Sequence, residues 1–385
     1  MQRTEPQENY QFDTTKRSIA KRYENVKLIL DSINGTLIPL ASCAVLFLTG
    51  GSVLISRLLN SMTDSYWISL WLYLVIFFII LQAVAMPLSF YSGYIVDHKF
   101  SLSTQTPQGW VVDELKGLGV ELVFGILGGS VLYYLIGNLS LWWIATAGIF
   151  AVFSILLSII LPFVILPIFY KVSPLSDEKL KESLLQMSKK FGARNVDRVL
   201  VADESRRSIR ANAFFSGVGK SRSIVLFDTL LNNFTHREIT TVVAHELGHY
   251  VNKDIWKEAL ISGLAIIPPF YVADYLLRSA VAALSLPTIT DPAGIPLVLA
   301  ALIGVGFILQ PITNWLSRIV ERKADEFALR VADDSEAQAS SERRLADLSL
   351  SVDSPSRVVE LLFYTHPPSS KRVRLAEEWK KNQDS

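Results

Sequence analysis

One cysteine, five histidines and few charges set the first limits on this chain of 385 residues. Cys43 alone cannot close an intramolecular disulfide, and it argues against a thiolate metal site. Asp, Glu, Lys and Arg make up 19% of the residues and hydrophobic types 50%, too apolar a balance for an ordinary soluble chain of this length. The net charge of +1 supplies no electrostatic footprint for nucleic acid, and none is expected as a partner. The first 35 residues have no apolar stretch behind a short basic start, so no cleavable leader is expected and the first span acts as its own signal.

Long apolar runs are what the sequence has instead. Mean hydropathy is +0.33, and the stretches 36–59, 66–91, 118–137, 140–170, 255–280 and 295–318 each reach the roughly 20 residues needed to cross a bilayer. About six spans are expected, four in 36–170 and two in 255–318, framed by segments 1–35, 171–254 and 319–385. Lys and Arg number six in residues 1–35, fourteen in 171–254 and twelve from 318 onward, which puts those segments on the cytoplasmic side. Arg57 and Arg278 fall near the other side. Glu121 and Asp274 lie inside spans, where ionisable groups line a hydrated cavity, pair with each other or reach the interface from a helix end. Pro162, Pro167, Pro268 and Pro269 bend or end their helices.

Segment 171–254 changes character. LSDEKLKESLLQMSKKFG reads as a polar helix, and RVLVAD, IRANAFFSG and SIVLFD read as short strands, the last two joined by the glycines of GVGKSR in a hairpin. Behind them comes TTVVAHELGHYVNKD. Two histidines four apart, His245 and His249, face one way on a helix, and neutral imidazoles suit zinc; Glu246 beside the first can serve as general base toward a water. This HExxH pattern points to a hydrolase. Thr235 and Glu238, three apart before an apolar run, form a capping box that opens such a helix. The plainer alternative is a buried helix with two satisfied core histidines.

Two histidines leave a catalytic metal short of one protein ligand. SRIVERKADEFALRVADD, directly after the last span, offers Glu321, with Asp325 on the same face as a partner for a ligating imidazole. On spacing alone Asp325 and Glu326 compete as ligands, and a solvated charged helix end explains the segment as well. Asn212 sits in a strand beside Ala211, Ala213 and Phe214, where its amide can hold a substrate backbone added to the sheet edge or make a local turn bond. His366 and Arg372 in YTHPPSSKRVRL are groups of the kind that stabilise an oxyanion, though a turn before a solvated helix accounts for them too.

The order of these segments resembles the CAAX prenyl protease 1 family of integral membrane zinc endopeptidases, related to the bacterial membrane stress protease. The likeness runs through SFYSGYIVDHKFSLSTQTPQGWVVDELKGL, LPFVILPIFYKVSPLSDEKLK, RSIRANAFFSGVGKSRSIVLFDTLL, AHELGHYVNKD, SRIVERKADEFA and YTHPPSSKR. It implies one catalytic Zn²⁺ held by His245, His249 and Glu321, with Glu246 as general base. It further implies Asp325 behind a ligating histidine, Asn212 on substrate backbone, and His366 with Arg372 on the scissile carbonyl. The family fold is a ring of seven membrane helices around a hydrated chamber, one helix more than the six counted here, and the missing one looks like the family's first.

The expectation is therefore a mainly α-helical polytopic membrane protein with a small α+β gluzincin-type module. As the resemblance implies, it is a zinc metalloendopeptidase that removes the last three residues of prenylated CAAX peptides. A broader quality-control protease is the alternative, and a non-catalytic transporter or scaffold with structural zinc is the reading from another class. Expected partners are a peptide or protein substrate and the lipid bilayer. The expected location is a prokaryotic plasma membrane or an ER-type membrane with a cytoplasmic active site, and KKNQDS carries no ER-retention signal.

Overall fold

The computed structural model describes residues 6–160, 164, 166–216, 222–284 and 286–383. Helix starts follow local chemistry. The Asp13 side chain accepts from the backbone N–H groups of Thr15 and Lys16, and Thr106 accepts from Gly109 ahead of the helix Pro107–Asn138. Both are side-chain caps on otherwise orphaned first-turn donors.

The expected first span, 36–59, is two helices. The chain is helical from Thr14 to Leu48, passes Gly50 at φ 74°, and restarts at Gly51–Met62. Only a residue without Cβ takes that left-handed conformation cheaply. Among the described residues five helices are long and apolar enough to cross a membrane, Thr14–Leu48, Tyr66–Lys99, Pro107–Asn138, Asp254–Ala283 and Pro292–Ala332, and Trp142–Leu157 is a shorter apolar helix, while the 12 residues of Gly51–Met62 are too few to span. The polar stretch before residue 36 is the continuation of the first helix. Leu70, Tyr73, Phe77, Trp142, Phe270 and Leu277 pack between the helices. Asp274 accepts from Trp142 Nε1 at 2.7 Å and from Arg278 Nε at 2.9 Å, so this ionisable group inside a span is paired.

The module carries a sheet of β1 (Val172–Pro174), β2 (Val196–Ala202), β3 (Ala213–Ser216) and β4 (Arg222–Phe227) in the order β1-β2-β4-β3. β3 and β4 pair antiparallel, Ala213 opposite Leu226, as the hairpin reading expects; residues 217–221 of its turn lie outside the described residues. β2 runs parallel to β4, and β3 is an edge. Leu184, Val196, Ile224, Leu226, Ile239, Val243 and Leu247 form a core that fastens the sheet to the helix His236–Val251.

Ile295–Ala332 is a single helix of 38 residues. At 1.5 Å per residue it is about 57 Å long, nearly twice the roughly 30 Å hydrocarbon thickness of a bilayer. Its apolar start belongs to the membrane region, and its end carries Glu321 and Asp325 into the module. The boundary expected at 318 falls inside this rod. The next helix, Ser335–Ser349, has the polar sequence SEAQASSERRLADLS, yet much of it is buried. The N-terminal segment covers it: Tyr10 Oη and the Asp13 backbone N–H donate to Asp347 at 2.9 and 2.8 Å.

Candidate metal centre

The helix His236–Val251 opens as its sequence foretells. Thr235 Oγ1 accepts from Glu238 N at 3.2 Å, and the Glu238 carboxylate accepts from Thr235 N at 2.8 Å. Four residues of helix then put His245 and His249 on one face. Gly248, between them, lets this helix close on Ile295–Ala332: a Cβ at that position would stand 3.1 Å from the Ala324 Cα. That close approach brings Glu321 to the two imidazoles.

His245 Nε2 lies 3.2 Å from Glu321 Oε2, and His249 Nε2 lies 3.5 Å from Glu321 Oε1. The two Nε2 atoms are 3.1 Å apart. Each imidazole has its other nitrogen on a carboxylate, His245 Nδ1 at 2.9 Å from Asp325 and His249 Nδ1 at 3.0 Å from Asp254. A proton on each Nδ1 leaves two Nε2 lone pairs and a buried carboxylate directed at one point. Glu321 Oε2 has no hydrogen-bond donor among the described residues. Three acceptors repel one another unless a cation lies between them, so these residues fit a metal ion. Glu326 is elsewhere, paired with Arg322 at 3.1 Å on the outer face.

Glu246 is half-buried and shares with His245, Asn212 and His366 a cavity of about 430 Å³. Burial pushes its carboxyl above the ordinary range, which makes it a better proton acceptor. Burial draws the His245 imidazolium down, but Asp325 and Glu321 outweigh it and raise the group to about 10. His366 Nε2 stands 3.3 Å from Glu321 Oε1, at the metal point. Arg372 does not stand there. Its Nε donates to Asp325 at 2.9 Å, its Nη2 lies 3.2 Å from His245 Nδ1, and its Nη1 pairs with Glu342 at 2.8 Å, all behind His245. Asn212 immediately precedes β3 rather than lying within it; its carbonyl accepts from Phe227 N at 3.0 Å and its side chain accepts from Ala213 N at 2.8 Å.

The profile of peptidase family M48 matches residues 174–380. The chain belongs to peptidase family M48. A second profile, the CAAX prenyl protease N-terminal region described as five membrane helices, matches residues 3–171. The helices described up to residue 160 fall within that matched stretch. An uncharacterized metalloprotease, YhfN of Bacillus subtilis, is 28% identical over 94% of this chain and 85% of its own length. CAAX prenyl protease 1 of Saccharomyces cerevisiae is 37% identical over 188 residues, 47% of this chain and 40% of its own. The crystal structure of S. mikatae Ste24p superposes with a TM-score of 0.78 at 27% identity, covering 94% of this chain and 88% of that one. This M48 member is a metalloprotease embedded in a membrane.

Sequence reasoning missed Asp254, Gln338 and Glu342. Asp254 left a signal, an acid five residues beyond His249 where the next helix, Asp254–Ala265, begins. Gln338 and Glu342 left none, because their helix reads as solvated.

Proposed function

We propose that this protein is a zinc-dependent endopeptidase that removes the last three residues of C-terminal prenyl-cysteine peptides from the cytoplasmic side of its membrane. The zinc reading rests on two imidazoles with carboxylate-held Nδ1 atoms that converge with one buried carboxylate. Two nitrogens and an oxygen suit zinc and leave a coordination position for chemistry. A bound zinc ion supplies a Lewis acid that polarises the scissile carbonyl and lowers the pKa of an attacking water.

The protein's own residues do the rest. Glu246 takes a proton from the water as its oxygen bonds to the carbonyl carbon, then returns it to the nitrogen as the C–N bond breaks. His366, beside Glu321, donates to the developing oxyanion. Arg372 acts through its partners, holding Asp325 and so the orientation of His245. Asn212 opens the free edge of the sheet, where an extended substrate backbone adds itself.

Support for the substrate comes from the yeast relative, a CAAX prenyl protease 1. A membrane-embedded site also suits a prenyl chain, which gains about 0.8 kcal/mol per buried CH₂. The excess of Lys and Arg in residues 1–35, 171–254 and from 318 onward supports the cytoplasmic orientation. A metalloprotease of broader, quality-control type is the second reading, and the relative similar along nearly the whole chain, YhfN, is named as a metalloprotease without a stated substrate. Cleavage of one peptide in farnesylated and unmodified form by the detergent-purified protein separates the two. The farnesylated form is expected to be cut at least about tenfold faster, and equal rates overturn prenyl selectivity.

A further inference from the structure

His366 is held loosely by its own side chain, which is 58% exposed. Its Nε2 points at Glu321, and its Nδ1 meets the hydroxyl of the neighbouring Thr365 at 2.9 Å. Packing does not fix this imidazole, so its place beside the metal point depends on the backbone that carries it.

That backbone leaves the helix Arg357–Phe363, three residues before His366. The last turn of a helix has carbonyls without partners inside it. Here the long helix Ile295–Ala332 supplies the donors. Asn314 Nδ2 donates to the Leu362 carbonyl at 2.7 Å, and Arg318 Nη1 donates to the Glu360 carbonyl at 2.9 Å and to the Tyr364 carbonyl. A cation also suits the negative end of a helix. Asn314 is 5% exposed, and no carboxylate pairs with Arg318 among the described residues, so both side chains are committed to this segment. From the opposite side Glu24 accepts from Tyr364 Oη at 2.6 Å.

Asn314, Arg318, Glu321 and Asp325 follow at intervals of four, three and four residues, which makes them one stripe along about three turns of a single helix. In order along the stripe they hold the chain that presents His366, the metal point, and the brace of His245. On the peptidase reading above, we infer that Arg318, supported by Asn314, is a positioning residue for the reaction: it clamps the exit of the helix Arg357–Phe363 so that His366 Nε2 stays where the oxyanion forms. Because Arg318 and Glu321 sit on one rod, the clamp sets the distance between that donor and the metal point. A misplacement of about 1 Å at such a group costs on the order of 100-fold in rate.

The test is steady-state cleavage of one farnesylated peptide by full-length zinc-loaded protein carrying Arg318→Met, Arg318→Lys or Asn314→Leu, each alone and combined with His366→Ala, with zinc content and melting temperature measured on every variant. Arg318→Met is expected to lower kcat about 10- to 100-fold, with KM changed less than about threefold and zinc retained. Arg318→Lys, which keeps the cation and can reach one carbonyl, should recover about tenfold of that loss, and Asn314→Leu should cost about tenfold. On the His366→Ala background each substitution should change kcat by less than about twofold, because a residue that acts through His366 has nothing left to place. Equal losses on both backgrounds, loss of zinc, or wild-type kcat in Arg318→Met overturns the assignment; should that variant not fold, Asn314→Leu decides by the same comparison. Wild-type activity in His366→Ala overturns the oxyanion role on which the inference rests. Failure of the wild type to cut any peptide overturns the peptidase reading itself.

Discussion

The two sides of the metal centre are built differently although they rise from one helix. On the His245 side the imidazole is buried and its Nδ1 meets Asp325 across 80 residues of sequence. Asp325 is 1% exposed and is gripped by Arg372, which also holds Glu342. On the His249 side the Nδ1 meets Asp254 only five residues on, and the further partner is Lys257, whose side chain is 46% exposed. One brace is a buried chain of charges drawn from three helices, and the other is a local turn that ends in solvent. Rigidity of the first ligand is bought with long-range packing, while the second ligand keeps a simpler tether.

Removing each brace in turn sharpens this contrast most. Asp325→Ala leaves Arg372 buried beside Glu342 with its main partner gone, and breaking a buried pair costs roughly 3–5 kcal/mol. Metal affinity should fall about 100-fold as well, at the upper end for an outer partner of a ligating histidine. Asp254→Ala should cost nearer tenfold in metal affinity and little in thermal stability, because Lys257 relaxes into water. Zinc competition and melting curves on both variants check this, and equal losses would erase the distinction between the two sides.

Gly248→Ala tests the approach on which both sides depend. The added methyl group meets Ala324, so the two helices must part by a few tenths of an ångström. About 1–3 kcal/mol of stability should go, as for other overpacked contacts, and metal affinity should drop with it. A variant that melts and binds zinc like the wild type would contradict the close-approach account.

The smallest expected effect is on pH dependence. In the metal-free protein His245 is raised from its ordinary 6.5 to about 10, so its contribution to stability is fully present below 6.5 and is lost as the pH rises toward 10. Zinc displaces that proton, so zinc affinity changes in the opposite direction and grows with pH. Metal-stripped protein should melt higher at pH 6 than at pH 9, and the stabilisation added by zinc should be larger at pH 9. The reverse order for the stripped protein would rule out His245 as the group responsible.

How far these features were legible follows from where their causes lie. The helix bearing His245 and His249 was readable in full, since Thr235, Glu238 and the histidine spacing act within a few residues. Glu321, Asp325 and Glu326 could not be ranked by spacing, because only the packing of Ala324 against Gly248 decides which carboxylate faces the imidazoles. The break at Gly50 was hidden because the apolar run continues through it, and its cause is conformational. Gln338 and Glu342 were invisible because the N-terminal segment and the last helix bury a sequence that looks solvated. Spacing thus exposed the chemistry of the histidine helix, whereas contacts set by partners far along the chain were legible only through the family resemblance, as for Glu321 and Asp325, or not at all, as for Glu342.

The most direct test of the whole account is peptide cleavage by wild type and Glu246→Gln, with zinc content determined on both. The account predicts one equivalent of zinc in each and cleavage by the wild type alone, because the substitution keeps the ligands and removes the proton acceptor. Full activity in Glu246→Gln with zinc bound would contradict it.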